Sequence, residues 1–217
     1  MIRVGIALTR WILPQRCAQC HAVAASRYCE GCLATWSLQP QRHLSDSGIL
    51  IVSLSQYDAT MKSVIHDIKF SGDRDLALQI GNCLVRVDVA TVLPESDLAQ
   101  WVVVPVPSVA SRTAERGFHH VEVLFEALCD AWDIALIPAV IRSKDTQHLH
   151  TLGKKARSSE TEDAFTVVFP EAIQDKYVLI VDDILTTGAT LDAMAIALMR
   201  AGACSVQGLV LATGKRV

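Results

Sequence analysis

The sequence predicts an α/β domain, a parallel sheet flanked by helices, preceded by a small cysteine-rich module. Three observations carry that prediction. From Gly48 onward, short aliphatic or β-branched runs alternate with segments whose apolar residues recur every three to four positions. One of the runs, residues 178–181, is apolar throughout instead of alternating, the pattern of a strand covered on both faces. Ahead of them stand C-A-Q-C at 17–20 and C-E-G-C at 29–32, in a stretch too short to build a core of its own.

Length and composition bound the answer. A chain of 217 residues holds one ordinary domain and an appendage, here divided as 1–42 and 43–217. With 51% hydrophobic and 20% charged residues it is a folded chain, not a disordered one. No apolar run approaches the roughly 20 residues that span a bilayer. Residues 1–13 are mildly apolar, but Arg3 and Arg10 interrupt them and no small-residue cleavage site follows, so the expectation is a cytoplasmic chain without membrane insertion. The net charge of −3 is uneven: residues 1–42 carry five arginines against Glu30, a balance of +4, which leaves −7 for the remainder. No internal repeat or low-complexity segment is evident.

In chain order, the two Cys-x₂-Cys pairs come first. Eight residues separate them, which allows Cys17, Cys20, Cys29 and Cys32 to surround one structural zinc ion; a redox dithiol is the other reading. Cys83, Cys129 and Cys204 lie in apolar contexts and read as small hydrophobes. Arg10, Trp11, Arg16, Arg27, Tyr28 and Trp36 offer the cations and aromatics of a nucleic-acid surface, or more simply pack the module onto the main domain. Residues 39–41 read as a linker.

Residues 49–54 then read as a strand, 60–69 as an amphipathic helix through Met61, Val64, Ile65 and Ile68, and 76–89 as a second helix. Lys69 reads as a capping or solvated side chain, with a phosphate role as the alternative. Residues 101–104 form the next strand, stopped by P-V-P. Arg112, Arg116 and Gly117 follow in a strand-to-helix turn, either clamping a pyrophosphate or solvated in a loop. Val121, Leu124, Phe125, Leu128 and Trp132 mark a helix, and 137–141 a strand. The polar segment 142–163, with Arg142, Lys144, His148, His150, Lys154, Lys155 and Arg157, reads as a functional loop able to close over a phosphate site.

The most informative stretch is V-L-I-V-D-D-I-L-T-T-G-A-T at 178–190. Asp182 and Asp183 stand where a buried strand should end. Thr186, Thr187, Gly188, Ala189 and Thr190 lead into a helix whose free N–H groups and dipole suit a phosphate. In a parallel sheet, ligands bind beyond the carboxyl ends of the strands. Adjacent carboxylates suit the vicinal hydroxyls of a sugar, or magnesium brought by a phosphorylated ligand. Together these residues describe a ribose 5-phosphate pocket. A polar turn with a helix cap is the plainer alternative, and a P-loop site lacks its G-x-x-x-x-G-K-[ST].

Residues 178–190 resemble the phosphoribosyl pyrophosphate signature of type I phosphoribosyltransferases. With the cysteine pairs, the P-V-P-x₄-R-x₃-R-G-F run at 105–118 and the Thr146 to Arg157 segment, the chain resembles the ComF family over nearly its whole length. That resemblance implies a type I phosphoribosyltransferase-like fold with an N-terminal zinc ribbon. It also implies an association with natural competence and DNA uptake, with single-stranded DNA or competence proteins as partners of residues 1–42. By resemblance, Asp182 and Asp183 are the catalytic acidic pair, residues 186–190 hold the 5-phosphate, Arg112, Arg116 and Gly117 form the pyrophosphate loop, and Lys154 and Arg157 lie in a flexible loop. Magnesium would accompany phosphoribosyl pyrophosphate. The expected activity is transfer of ribosyl 5-phosphate to a nitrogenous acceptor, with a non-catalytic accessory protein as the alternative. Four positions depart from the family: His119 and His120 replace Asn-Gln, and Leu149 and Glu160 replace loop amides.

Overall fold

The computed structural model describes residues 16–24, 26–93, 97–142 and 164–214. A five-stranded sheet forms the centre. Its strands are β1 (Gln41–Leu44), β2 (Leu50–Gln56), β3 (Trp101–Pro105), β6 (Tyr177–Leu185) and β7 (Ser205–Thr213), in the order β1-β2-β7-β6-β3. All neighbours are parallel except the edge strand β1, which pairs antiparallel with β2. A separate antiparallel ribbon joins β4 (Val140–Arg142) to β5 (Phe165–Val167). The helices are α1 (Glu30–Ala34), α2 (Ala59–Phe70), α3 (Arg74–Leu84), α4 (Val89–Val92), α5 (Ala110–Arg116), α6 (His120–Trp132) and α7 (Ala189–Arg200).

The uniformly apolar strands are explained by two cores. Val103, Leu179 and Val181 project to one face of the sheet, onto Met61, Ile65, Leu76, Ile80, Leu124 and Phe125 of α2, α3 and α6. Val102, Val104, Val178 and Ile180 project to the other, onto Leu191, Met194 and Leu198 of α7. Burying each such side chain stabilises the fold by roughly 1.5–3 kcal/mol. Asp58 and Asp73 cap α2 and α3 by accepting from the N–H groups of Met61 and Leu76.

Several elements differ from the sequence expectation, each for a local reason. The predicted 76–89 helix stops at Leu84, because Asp88 caps a new turn, α4, by accepting from Ala90 N–H. The 137–141 strand is divided at Pro138. Ile137 N–H still donates to Val103 O, while Val140 turns into the ribbon. The arginine-bearing turn is a helix, α5, terminated by Gly117 at φ 82°, a left-handed position that suits glycine. Gln39 and Gln41, read as linker, already pair with the sheet: Gln39 N–H donates to Leu54 O and Gln41 lies opposite Ser53. The expected loop residues Lys144, His148, His150, Lys154, Lys155 and Arg157 lie outside the described residues, as do Leu149 and Glu160. No helix among the described residues is long and apolar enough to cross a membrane.

The cysteine module is seated on the domain. Tyr28 is buried in the α2/α3/α6 core, with Leu33, Trp36 and Leu38 packed against it. Arg27 makes an ion pair with Asp67 of α2 at 2.5 Å. Arg86 donates from Nη1 to Ala34 O at 3.1 Å and from Nη2 to Trp36 O at 3.2 Å, satisfying carbonyls at the end of α1 that so short a helix leaves open.

The tightest helix contact is between α3 and α6. A Cβ on Gly81 would sit 2.9 Å from Leu124 O and 3.1 Å from Val123 O, both backbone atoms. Gly81→Ala is expected to destabilise the protein by about 1–3 kcal/mol, read as a lowered midpoint in urea unfolding. An unchanged midpoint would show that the two helices separate freely.

Candidate functional site

The crevice arises from unequal strand lengths. β3 pairs with β6 only as far as Pro105 opposite Val181, after which Val106 N–H makes a last bond to Val181 O. β6 continues to Leu185, held by β7 alone. The acidic pair therefore lies within the strand and not after it, a correction to the expected strand end. On that open side a cavity of about 380 Å³ forms, with walls that include Lys69, Ser108, Arg112, Arg116, His120, Arg142, Asp182, Asp183, Thr186 and Thr190. Asp182 and Asp183 are its only carboxylates among the described residues.

Pleating sends the two carboxylates into different surroundings. Asp183 is buried, on the side of the sheet that carries α2 and α6. Its Oδ2 receives Lys69 Nζ at 2.6 Å and His120 Nε2 at 2.9 Å. Burial alone would raise its pKa, but the His120 hydrogen bond and the Lys69 charge outweigh it and hold the group down at about 2. Asp182 remains partly open to the cavity. Desolvation first, and then the neighbouring Asp183 charge, push it up to about 8. Asp183 is thus the firmly charged member of the pair, and Asp182 the one whose ionisation its surroundings disfavour.

Three further groups complete the wall. Arg116 donates from Nε to Lys69 O at 2.9 Å and approaches His120 Nδ1 with Nη1 at 2.8 Å. Ser108 Oγ lies 3.3 Å from the same ring nitrogen. Arg142 donates from Nε to Pro107 O and stacks over the Phe165 ring, fixing the ribbon above the cavity. Burial lowers the pKa of His120, opposed by Asp183 and assisted by Lys69 and Arg116. At the far end Gly188 takes φ 96° at the start of α7, and Ala189 N–H donates to Thr187 Oγ1.

Of the residues expected from sequence, Arg112, Arg116, Asp182, Asp183, Thr186 and Thr190 meet around one cavity. Thr187, Gly188 and Ala189 shape the turn behind it, and Gly117 caps α5 instead of lining the wall. Lys69, for which the sequence suggests a capping or solvated side chain with a phosphate role as the alternative, is an ion-pair partner of Asp183 in the cavity wall. The structural importance of His120 was missed, and its one sequence signal was the departure at 119–120. His119 faces Glu122 at 3.7 Å. A larger cavity of about 780 Å³, between the cysteine module and α3, has Glu30 as its only carboxylate among the described residues and no facing acidic pair.

The four cysteines also converge. Cys17, Cys20, Cys29 and Cys32 place their Sγ atoms within 4.8 Å of one another, with Cys20 and Cys29 at 3.6 Å. Four sulfurs at a Zn–S distance of about 2.3 Å would stand roughly 3.8 Å apart, so the donor set fits zinc. Backbone N–H groups of Cys20 and Cys29 pull the Cys17 thiol down to about 6, and the thiol neighbours, Cys29 foremost, push Cys32 up to about 12.

Fold and crevice define an α/β protein of the phosphoribosyltransferase type, and residues 131–216 match the phosphoribosyl transferase domain family. The DNA utilization protein YhgH of Salmonella typhi is 32% identical over 165 residues, 72% of this chain and 69% of that protein. Its counterpart in Salmonella typhimurium LT2 is 29% identical over 230 residues, 95% of this chain and 92% of the other. The chain belongs to the ComF family of these proteins. Among solved structures, an allosteric regulatory enzyme of purine biosynthesis aligns over 68% of this chain and 30% of that one, at 18% identity and a TM-score of 0.44.

The displaced carboxylates carry a signed consequence for stability. Because Asp182 binds its proton more tightly when folded, its contribution is fully present below the unfolded value near 4 and is lost as pH rises toward about 8. Asp183 acts oppositely: its contribution is present above about 4 and lost as pH falls toward 2. Asp182→Asn should therefore melt above the wild type at pH 8.5, with the gap closing at pH 4. A gap independent of pH would refute the raised value.

Proposed function

We propose that the cavity binds phosphoribosyl pyrophosphate with magnesium and transfers its ribosyl 5-phosphate to a nitrogenous acceptor. The observation that carries this reading is the meeting, in the walls of one cavity, of the acidic pair Asp182–Asp183, the cations Lys69, Arg112 and Arg116, and Thr186 and Thr190 at the N-terminal end of α7. Breaking the glycosidic bond to pyrophosphate builds positive charge at the anomeric carbon and negative charge on the leaving group. Such a reaction is accelerated by positioned charges more than by covalent chemistry. Asp183, kept ionised by Lys69 and His120, faces the developing cation. Asp182 accepts from the ribose hydroxyls, while Thr186, Thr187, Thr190 and the first N–H groups of α7 take the 5-phosphate. Arg112 and Arg116 take the pyrophosphate. The residues present fit magnesium: Asp182, as the carboxylate open to the cavity, would hold the ion, which supplies charge that neutralises the leaving pyrophosphate. Lys154 and Arg157 belong to the segment we assign as the closing loop.

Residues 1–42 we assign as a zinc-binding module, with 43–217 as the transferase-like domain of a cytoplasmic protein. The module's +4 charge favours a second reading, in which single-stranded DNA or uptake-machinery proteins dock there, phosphoribosyl pyrophosphate is a regulatory ligand and the protein is an accessory and not a catalyst.

Asp182→Asn and Asp183→Asn are each expected to weaken phosphoribosyl pyrophosphate binding at least tenfold by calorimetry, about 1.4 kcal/mol. Binding unaltered in both variants would remove the site assignment. Pyrophosphate release over a panel of nucleobases separates turnover from regulation: release with any base supports transfer, and binding with no release supports the accessory reading. Elemental analysis is expected to find one zinc per chain; metal-free protein after gentle purification would refute the zinc module. Retention of single-stranded DNA that weakens with salt, and weakens further in Arg16→Gln, would place DNA on the module.

A further inference from the structure

We infer that His120 is a positioning residue that joins the pyrophosphate arginine Arg116 to Asp183, the carboxylate assigned to the developing cation, making the two halves of the cavity a single unit. The inference rests on the phosphoribosyl pyrophosphate reading of the site.

Donor and acceptor chemistry fixes the direction of the bonds. A guanidinium has only donors, so at 2.8 Å from Arg116 Nη1, His120 Nδ1 must accept. The ring proton then belongs on Nε2, where it is donated to Asp183 Oδ2 at 2.9 Å. A neutral imidazole can satisfy a cation on one side and an anion on the other only in this tautomer. The ring is buried, at 6% exposure, so an unused nitrogen there would carry a desolvation cost.

The bonds close on themselves. Lys69 Nζ meets Asp183, Asp183 meets His120, His120 meets Arg116, and Arg116 Nε returns to Lys69 O. The four members come from α2, β6, α6 and α5. Gly117, in its left-handed turn, sets α5 against α6 so that Arg116 and His120 face each other across the joint. Ser108 Oγ, 3.3 Å from Nδ1, supplies a reserve donor. When Arg116 turns to a pyrophosphate, the serine hydroxyl takes its place on the ring, and no buried acceptor is abandoned. Occupation of the anion end is thereby coupled to the posture of the carboxylate at the sugar end.

Two substitutions and one spectroscopic measurement test this. Glutamine offers one acceptor and one donor on a planar group; leucine fills volume with neither. His120→Leu is expected to weaken binding of phosphoribosyl pyrophosphate and of free pyrophosphate at least tenfold, while His120→Gln stays within about threefold of the wild type, both titrated with magnesium by calorimetry. In ligand-free wild type, ¹⁵N NMR of the imidazole should show Nε2 protonated and Nδ1 bare at pH 7.5. Protonated Nδ1, or His120→Leu binding as tightly as the wild type, overturns the inference alone. Wild type that binds neither ligand overturns it together with the proposed function. His120→Gln weakened as far as His120→Leu also overturns it, because the bridge would then not depend on its hydrogen bonds.

Discussion

The structure turns on a mismatch between two neighbouring strands. β3 is released from the sheet at Pro105, while β6 runs on to Leu185 with β7 still beside it. Upstream of that point β6 is sealed on both faces and can only be aliphatic. Downstream it has lost one neighbour, and polar side chains become affordable because a crevice replaces the missing strand. Val106 N–H still donates to Val181 O before the chain leaves through Pro107 toward α5. Every charged group of the site is arranged around the gap so created.

Within the gap, adjacency in sequence conceals divergence in space. Asp182 and Asp183 look interchangeable as letters, yet pleating turns them apart and their environments differ in kind. Asp183 is closed in by Lys69 and His120 and behaves as a fixed anion. Asp182 lines the cavity only partly open, and desolvation first, with its neighbour's charge behind it, disfavours its ionisation. An acidic pair in which one member is committed and the other adjustable suits a ligand that must be gripped before it reacts.

Much of this was legible from residues alone, for reasons that can be named. Short apolar runs and period-3.6 patterns located β2, α2, β3, α6 and β6, because both faces of the sheet are buried and the pattern is strong. The four cysteines were legible because their spacing is chemically restrictive. The helix α5 was not, since Ala110–Arg116 is short and has no side-chain cap. Lys69 was not either: it sits at the end of α2, far along the chain from Asp183, and only tertiary packing brings them together. His120 was visible as an unusual letter, but its role depends on a partner 63 residues away, which no local pattern encodes.

The attachment of the cysteine module has a different kind of consequence. Its short helix α1 relies on Arg86, just past the end of α3, to satisfy its closing carbonyls, and Tyr28 is sunk into the same core that α3 and α6 share. Because α6 begins at His120, the module and the crevice are referenced to one closely packed pair of helices. The module is therefore less a bead on a string than a fixed arm on a gauge, and anything it grips is held at a set distance and angle from the crevice.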